Sequence, residues 1–227
     1  MVEVASEFRH ASGMATVPSP SNVLGAQRAR NLLDGIAFAE RFFMGESEVH
    51  KALAKVCATL DAEGIPYALV GAMALNAYGY RRVTTDVDLL LTREGLEAFK
   101  QRHLGRGWVE RFAGSKGMRD TEHNVKIDIL LAGDYPGDGL PKPVAFPDPR
   151  VAHRVGGIAV LPVERLVELK LASGLSNPDR MKDLADIQEL IRHAGLPAAL
   201  AEAIDPSVRA EYSRIWAVTR RSDDDDA

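Results

Sequence analysis

Cysteine is almost missing from this chain: Cys57 is the only one in 227 residues. A single thiol excludes a disulfide framework and a cysteine-based zinc site. No run of about 18 apolar residues occurs, so no membrane-spanning helix is expected. The first residues lack a basic start followed by an apolar core. No secretory signal is therefore expected, and the cytoplasm is the expected compartment. The six histidines are scattered without metal-ligand spacing. There is no excess of basic charge, since the formal net charge is -4. That balance neither suggests nor excludes a nucleic-acid partner, because binding depends on local patches rather than on the sum.

What is present is an ordinary globular composition with 46% apolar residues, long enough to bury a core unaided. Four segments are expected: an N-terminal arm and helix over 1–46, a core over 47–161, a helical region over 162–222, and a disordered acidic tail over 223–227. Residues 1 to about 20 are rich in Ser, Ala and Pro. A helical stripe follows from Asn22 to Met44, and a second helix spans Ser47 to Leu60. Gly64 ends that helix, and Pro66 introduces a short strand from Tyr67 to Val70. Gly71 breaks the strand before a short helix. Val87 to Leu91 is a strand and Arg93 to His103 a helix. Trp108 to Phe112, Gly117 to Arg119 and Val125 to Leu131 read as strands. Residues 136–149 form a Gly- and Pro-rich loop. Ile158 to Leu161 is a last short strand. After it come a helix from Pro162, another opening at Asn177 and Pro178, and a further short one. Strands among helices, then helices alone, predict an α+β fold with a small mixed sheet flanked by helices.

The chemistry concentrates in Asp86-Val87-Asp88. Strand side chains alternate faces, so both acids share one face while Val87 and Leu89 bury the other. Lys126-Ile127-Asp128-Ile129 repeats the pattern, and Asp128 can join the same site if the strands are neighbours. Clustered carboxylates repel one another unless a cation sits among them, and oxygen-rich sets of this kind suit magnesium. The plain alternative is a solvated strand face. Lys170 raises a similar choice. It lies within the apolar stripe Val163, Leu166, Val167 and Leu171, where its head needs a partner or water. It is either a snorkelling stem or a lysine aimed into a cleft. As an apolar-stripe residue it also predicts that Lys170→Met is tolerated by the fold. Asp183 either pairs with Arg180, three residues away, or orients Lys170 or an arginine in a cleft. Asp186 reads as lying farther out.

Val70-Gly71-Ala72-Met73-Ala74-Leu75 with Asp86-Val87-Asp88 resembles the signature of the nucleotidyltransferase superfamily, whose core is polymerase-beta-like. Tyr78 to Thr85, and the stretch Arg180-Met181-Lys182-Asp183-Leu184-Ala185-Asp186, are similar to the AbiEii-like, minimal nucleotidyltransferase branch, which includes toxins. The resemblance covers roughly residues 50–192. It implies Asp86, Asp88 and Asp128 as metal ligands for Mg2+ (or Mn2+) and as catalytic residues, with Lys170. It implies nucleotide binding by Gly71, Ala72, Arg82, Lys170 and Asp183. Ala72 departs from the usual Gly or Ser, so backbone N–H groups must serve there. The implied activity moves a nucleoside monophosphate from a nucleoside triphosphate to an acceptor hydroxyl. A tRNA end or a protein is the implied acceptor, and an antitoxin the implied partner. A small-molecule (antibiotic) acceptor and a degenerate nucleotide-binding domain without turnover are the alternatives.

Overall fold

The computed structural model describes residues 20–225. The expected arm up to residue 19, and Asp226 and Ala227 of the tail, lie outside them. The chain divides into two compact units, Met1–Arg41 and Phe42–Ala227. The first contributes most of helix α1 (Pro20–Phe43). Everything below belongs to the second, which therefore includes the helices after residue 162.

Helix α2 (Glu48–Ala62) buries Ala52, Leu53, Val56 and Leu60 on one face. Gly64 stops it in the left-handed conformation, with φ +63°. There the Ile65 amide donates to the Leu60 carbonyl at 2.9 Å, closing the helix end before strand β1 (Tyr67–Val70). Helix α3 (Gly71–Ala77) follows without a loop. Strand β2 (Asp86–Leu91) leads into α4 (Arg93–His103), which Thr92 caps by accepting the Gly95 amide at 3.0 Å. Strands β3 (Trp108–Glu110), β4 (Met118–Asp120) and β5 (Val125–Leu131) form an antiparallel run. Strands β6 (His153–Val155) and β7 (Ile158–Val160) make a hairpin, of which only the second strand was expected. The sheet has seven strands among the described residues, in the order β3-β4-β5-β2-β1-β7-β6. It is mixed as predicted, because β2 pairs antiparallel with β1 but parallel with β5.

The alternation in β2 and β5 determines what lies on each face. Val87, Leu89 and Ile127 are fully buried. Asp86, Asp88 and Asp128 point to the opposite face and are only partly covered. Helix α5 (Val163–Ser176) packs on α6 (Met181–Ala194), and α6 packs on α8 (Pro206–Asp225). The short α7 (Leu200–Ala203) is the expected further helix, and the 20-residue α8 lies in the expected helical region but was not singled out as a separate element. Its buried side chains Val208, Tyr212, Ile215 and Thr219 recur at i, i+4, i+7 and i+11, a helical stripe that was legible in the sequence. Helix α8 runs through Asp225, so the expected boundary at residue 222 falls inside it.

Candidate active site

The parallel register of β2 and β5 sets Asp88 directly opposite Asp128, and the antiparallel register of β1 sets Val70 opposite Asp88. Gly71 then turns the chain away with φ +61°. A Cβ at this position would lie 1.9 Å from Asp88 Oδ2, so the turn exists in this form only with glycine. A cleft of about 660 Å³ opens over these residues. Asp86, Asp88, Asp128, Lys170, Gly71, Ala72, Arg82 and Asp183 all line it. The residues singled out by sequence are thus brought together around one cavity.

Each carboxylate has a different setting. Asp88 is the most enclosed, and its carboxyl is pushed up to about 6 by burial, with the charges of Asp86 and Asp128 adding to the effect and Lys170 and Arg82 opposing it. Asp86 accepts a short hydrogen bond from the Thr84 hydroxyl. Asp128 accepts from Arg111 Nη1 at 2.9 Å. Among the described residues, no three carboxylate, histidine or cysteine side chains form a ready metal cage. The trio expected as metal ligands lines the cleft without converging. Mutual repulsion accounts for this, because the outer two acids turn to Thr84 and Arg111 and leave Asp88 between them. The donor set nevertheless fits a hard divalent cation: three carboxylates on neighbouring strands, one of them held against its charged form first by burial and then by the other two.

Lys170 is 9% exposed and is not a snorkelling stem. Its Nζ donates to Asp183 Oδ1 at 2.8 Å and to Asp186 Oδ2 at 2.7 Å. The Ser173 hydroxyl donates to the other oxygen of Asp183 at 2.7 Å. Burial works against the charge on Asp183, but Lys170, Ser173 and the nearby Arg180 outweigh it and hold the carboxyl below its ordinary value. Asp183 therefore orients Lys170, one of the two roles weighed for it.

Asp186 corrects the sequence reading. It does not lie farther out but is 2% exposed. It accepts from Lys170 and from Arg82 Nη1, the latter at 2.7 and 3.0 Å on its two oxygens. The spacing from Asp183 to Asp186 puts both on one helix face, and that signal was available. The partnership with Arg82, 104 residues away, was not. Asn76 was also missed. Its side chain accepts the Arg82 amide and donates to the Arg82 carbonyl, both at 2.8 Å, fixing the chain that carries the guanidinium. The tolerance expected of Lys170→Met is set against the pairing of Lys170, because that change would remove one cationic partner from the buried Asp186 and the partly buried Asp183.

Strand-borne carboxylates facing a glycine turn, with a lysine clamped across the cleft, make a centre of the nucleotidyltransferase class. Residues 53–223 match the family model described as "Nucleotidyl transferase AbiEii toxin, Type IV TA system". The match spans more than half of the chain, and the protein belongs to this family and is a nucleotidyltransferase. No curated protein matches the chain. Among solved structures, ANT(2'')-Ia in complex with adenylyl-2''-tobramycin is similar at 17% identity, over 71% of this chain and 95% of that one, with a TM-score of 0.46. A protein from H. pylori assigned as a nucleotidyltransferase is similar at 16% identity, over 76% and 94%, with a TM-score of 0.43. No helix among the described residues is long and apolar enough to cross a membrane.

Proposed function

We propose that this nucleotidyltransferase is metal-dependent and transfers a nucleoside monophosphate to a hydroxyl of a macromolecular acceptor, as a toxin held in check by an antitoxin. One observation carries the metal dependence: Asp88 sits between Asp86 and Asp128, with its side chain against Gly71 and its carboxyl pushed up to about 6. Such a set is charge-frustrated on its own and becomes favourable around a cation.

Asp86, Asp88 and Asp128 would hold Mg2+ or Mn2+, which supplies charge neutralisation for the phosphates and acidifies a bound hydroxyl. The chain's own groups do the rest. Lys170 and Arg82 face the cleft from buried carboxylate partners and meet the negative charge of the triphosphate. Backbone N–H groups near Gly71 and Ala72 stand in for a missing side-chain hydroxyl. Asp128 takes the acceptor's proton. The acceptor oxygen bonds to the α-phosphorus, the bond from that phosphorus to the bridging oxygen breaks, and pyrophosphate leaves. Because nucleoside triphosphates are the substrates, we place the protein in the cytoplasm. The toxin role rests on the family's description.

The test is incubation with each labelled triphosphate and Mg2+, with and without total RNA or protein extract. Labelled RNA or protein supports the reading. Magnesium-dependent nucleotide binding with no labelled RNA or protein in any mixture would rule out a macromolecular acceptor, leaving a small-molecule acceptor or a domain without turnover.

A further inference from the structure

Five basic residues line the cleft: Arg82, Arg111, Lys116, Lys170 and Arg180. Arg82 and Lys170 are bonded to Asp186, Lys170 also to Asp183, and Lys116 to Asp134. Arg180 lies near enough to Asp183 to help hold it ionised. Arg111 is different. Its Nη1 donates at 2.9 Å to Asp128 Oδ1, which pairs it directly with one of the three strand acids. Asp86 has the neutral hydroxyl of Thr84. Arg111 therefore brings a full positive charge into contact with the acid trio.

The loop that joins β3 to β4 fixes where this charge is delivered. Arg111 follows β3 directly, and its amide donates to the Gly117 carbonyl at 3.4 Å across the loop. Glu110 accepts the Gly114 amide at 3.1 Å, and Lys100 Nζ bonds both Glu110 and the Ser115 carbonyl. The base of the arginine is thus held, and its side chain runs past Gly117. A Cβ at Gly117 would come within 3.1 Å of Asp128 Oδ1 and 3.3 Å of Arg111 Cδ, so a side chain there would crowd the pair. The pair itself is open to water, with side-chain exposures of 40% for Arg111 and 35% for Asp128. An ion pair this exposed adds little to stability. It is readily exchanged instead, and a divalent cation brings twice the charge of a guanidinium to the same carboxylate.

We infer that Arg111 is a resident counter-ion for Asp128: it holds that carboxylate while no metal is bound, and it competes with the divalent cation for it. Arg111 is thus a positioning residue, which acts through Asp128 and sets how tightly the metal is taken up. Loading the site exchanges one cation for another, so Asp128 keeps a positive charge in contact throughout. Once displaced, the guanidinium remains in the cleft wall, where phosphate is its alternative partner. The inference rests on the metal-dependent reading above, but its test separates the two.

The probe is Mn2+ itself, titrated into full-length protein without nucleotide, with the unbound ion read by electron paramagnetic resonance. In parallel, calorimetry measures triphosphate binding with Mg2+. Arg111→Met keeps the stem and removes the charge. It should tighten Mn2+ binding about fivefold and leave the melting temperature in EDTA within about 3 °C of wild type. Arg111→Lys keeps the charge and should keep the wild-type affinity. In an Asp128→Asn background, Arg111→Met should change Mn2+ affinity by less than about twofold, because the contested charge is gone. Unchanged Mn2+ binding in Arg111→Met overturns the inference and leaves metal-dependent transfer standing. Weaker binding also overturns it, by making Arg111 a support that presents Asp128 to the metal. An equal gain with and without the Asp128 carboxylate overturns it too, by reducing the effect to the general field of the cleft. Wild-type protein that binds neither Mn2+ at millimolar concentration nor triphosphate with Mg2+ would sink the underlying reading itself.

Discussion

Gly71 and Asp88 occupy a volume that allows no Cβ: an added methyl at Gly71 would lie 1.9 Å from Asp88 Oδ2 and 2.6 Å from its Cγ. The glycine also holds φ +61°, where alanine is strained. Gly71→Ala should therefore cost at least about 1 kcal/mol of stability. It should lower turnover by about a hundredfold, because Asp88 must move. Thermal melts and initial rates on one preparation check this. Unchanged rates would mean that the position of Asp88 does not matter.

Asp88 gives a pH signature. Its folded carboxyl is raised from an ordinary value of 3.8 to about 6. A raised acid binds its proton more tightly in the folded state, so stability falls as pH rises through that window and is flat above it. Asp88→Asn removes this loss. Without divalent metal, the mutant should exceed wild type at pH 7–8 by on the order of 2 kcal/mol, and the gap should close near pH 4. Urea melts across pH in EDTA provide the measurement. A mutant less stable at pH 8 than wild type would show that Asp88 is not under electrostatic strain.

Lys170 pairs with the buried Asp186 and the partly buried Asp183, so Lys170→Met should destabilise the fold by about 3 kcal/mol. Adding Asp183→Asn should recover part of that loss without restoring activity. Arg82 still pairs with Asp186, which is why the loss should stop short of unfolding. A Lys170→Met protein as stable as wild type would return the residue to a packing role.

These expectations show where sequence reading succeeded and where it stopped. The two-residue period of β2 was enough to put Asp86 and Asp88 on one face, because strand geometry is local, whereas Asp128 joins them only through the parallel pairing of β5 with β2. The order of strands and helices gave the α+β class for the same reason. The pairings that finish the site are not local. Arg82 with Asp186, and Arg111 with Asp128, join distant segments, and no spacing rule reaches them. The three-residue spacing of Asp183 and Asp186 marks a shared helix face, but the burial of Asp186 comes from its pairing with Lys170 on α5 and with Arg82.

Asp128 separates binding from chemistry. Asp128→Asn should keep magnesium-dependent triphosphate binding, since Asp86 and Asp88 remain, and should lose transfer, since Asp128 is the proposed acceptor of the hydroxyl proton. Calorimetry and label transfer on the same mutant decide the point. Full transfer would reduce Asp128 to an anchor for Arg111, and loss of both would place it among the primary ligands.

The central claim is that the protein moves a nucleoside monophosphate. Two parallel reactions test it most directly, one with triphosphate labelled at the α-phosphorus and one labelled at the γ-phosphorus, each with Mg2+ and total RNA. The account requires α-label on the acceptor, γ-label released in pyrophosphate, and neither event in Asp88→Asn. γ-label on the acceptor would instead mean phosphoryl transfer, and α-label appearing on the acceptor in Asp88→Asn as fast as in wild type would remove the carboxylates from the chemistry.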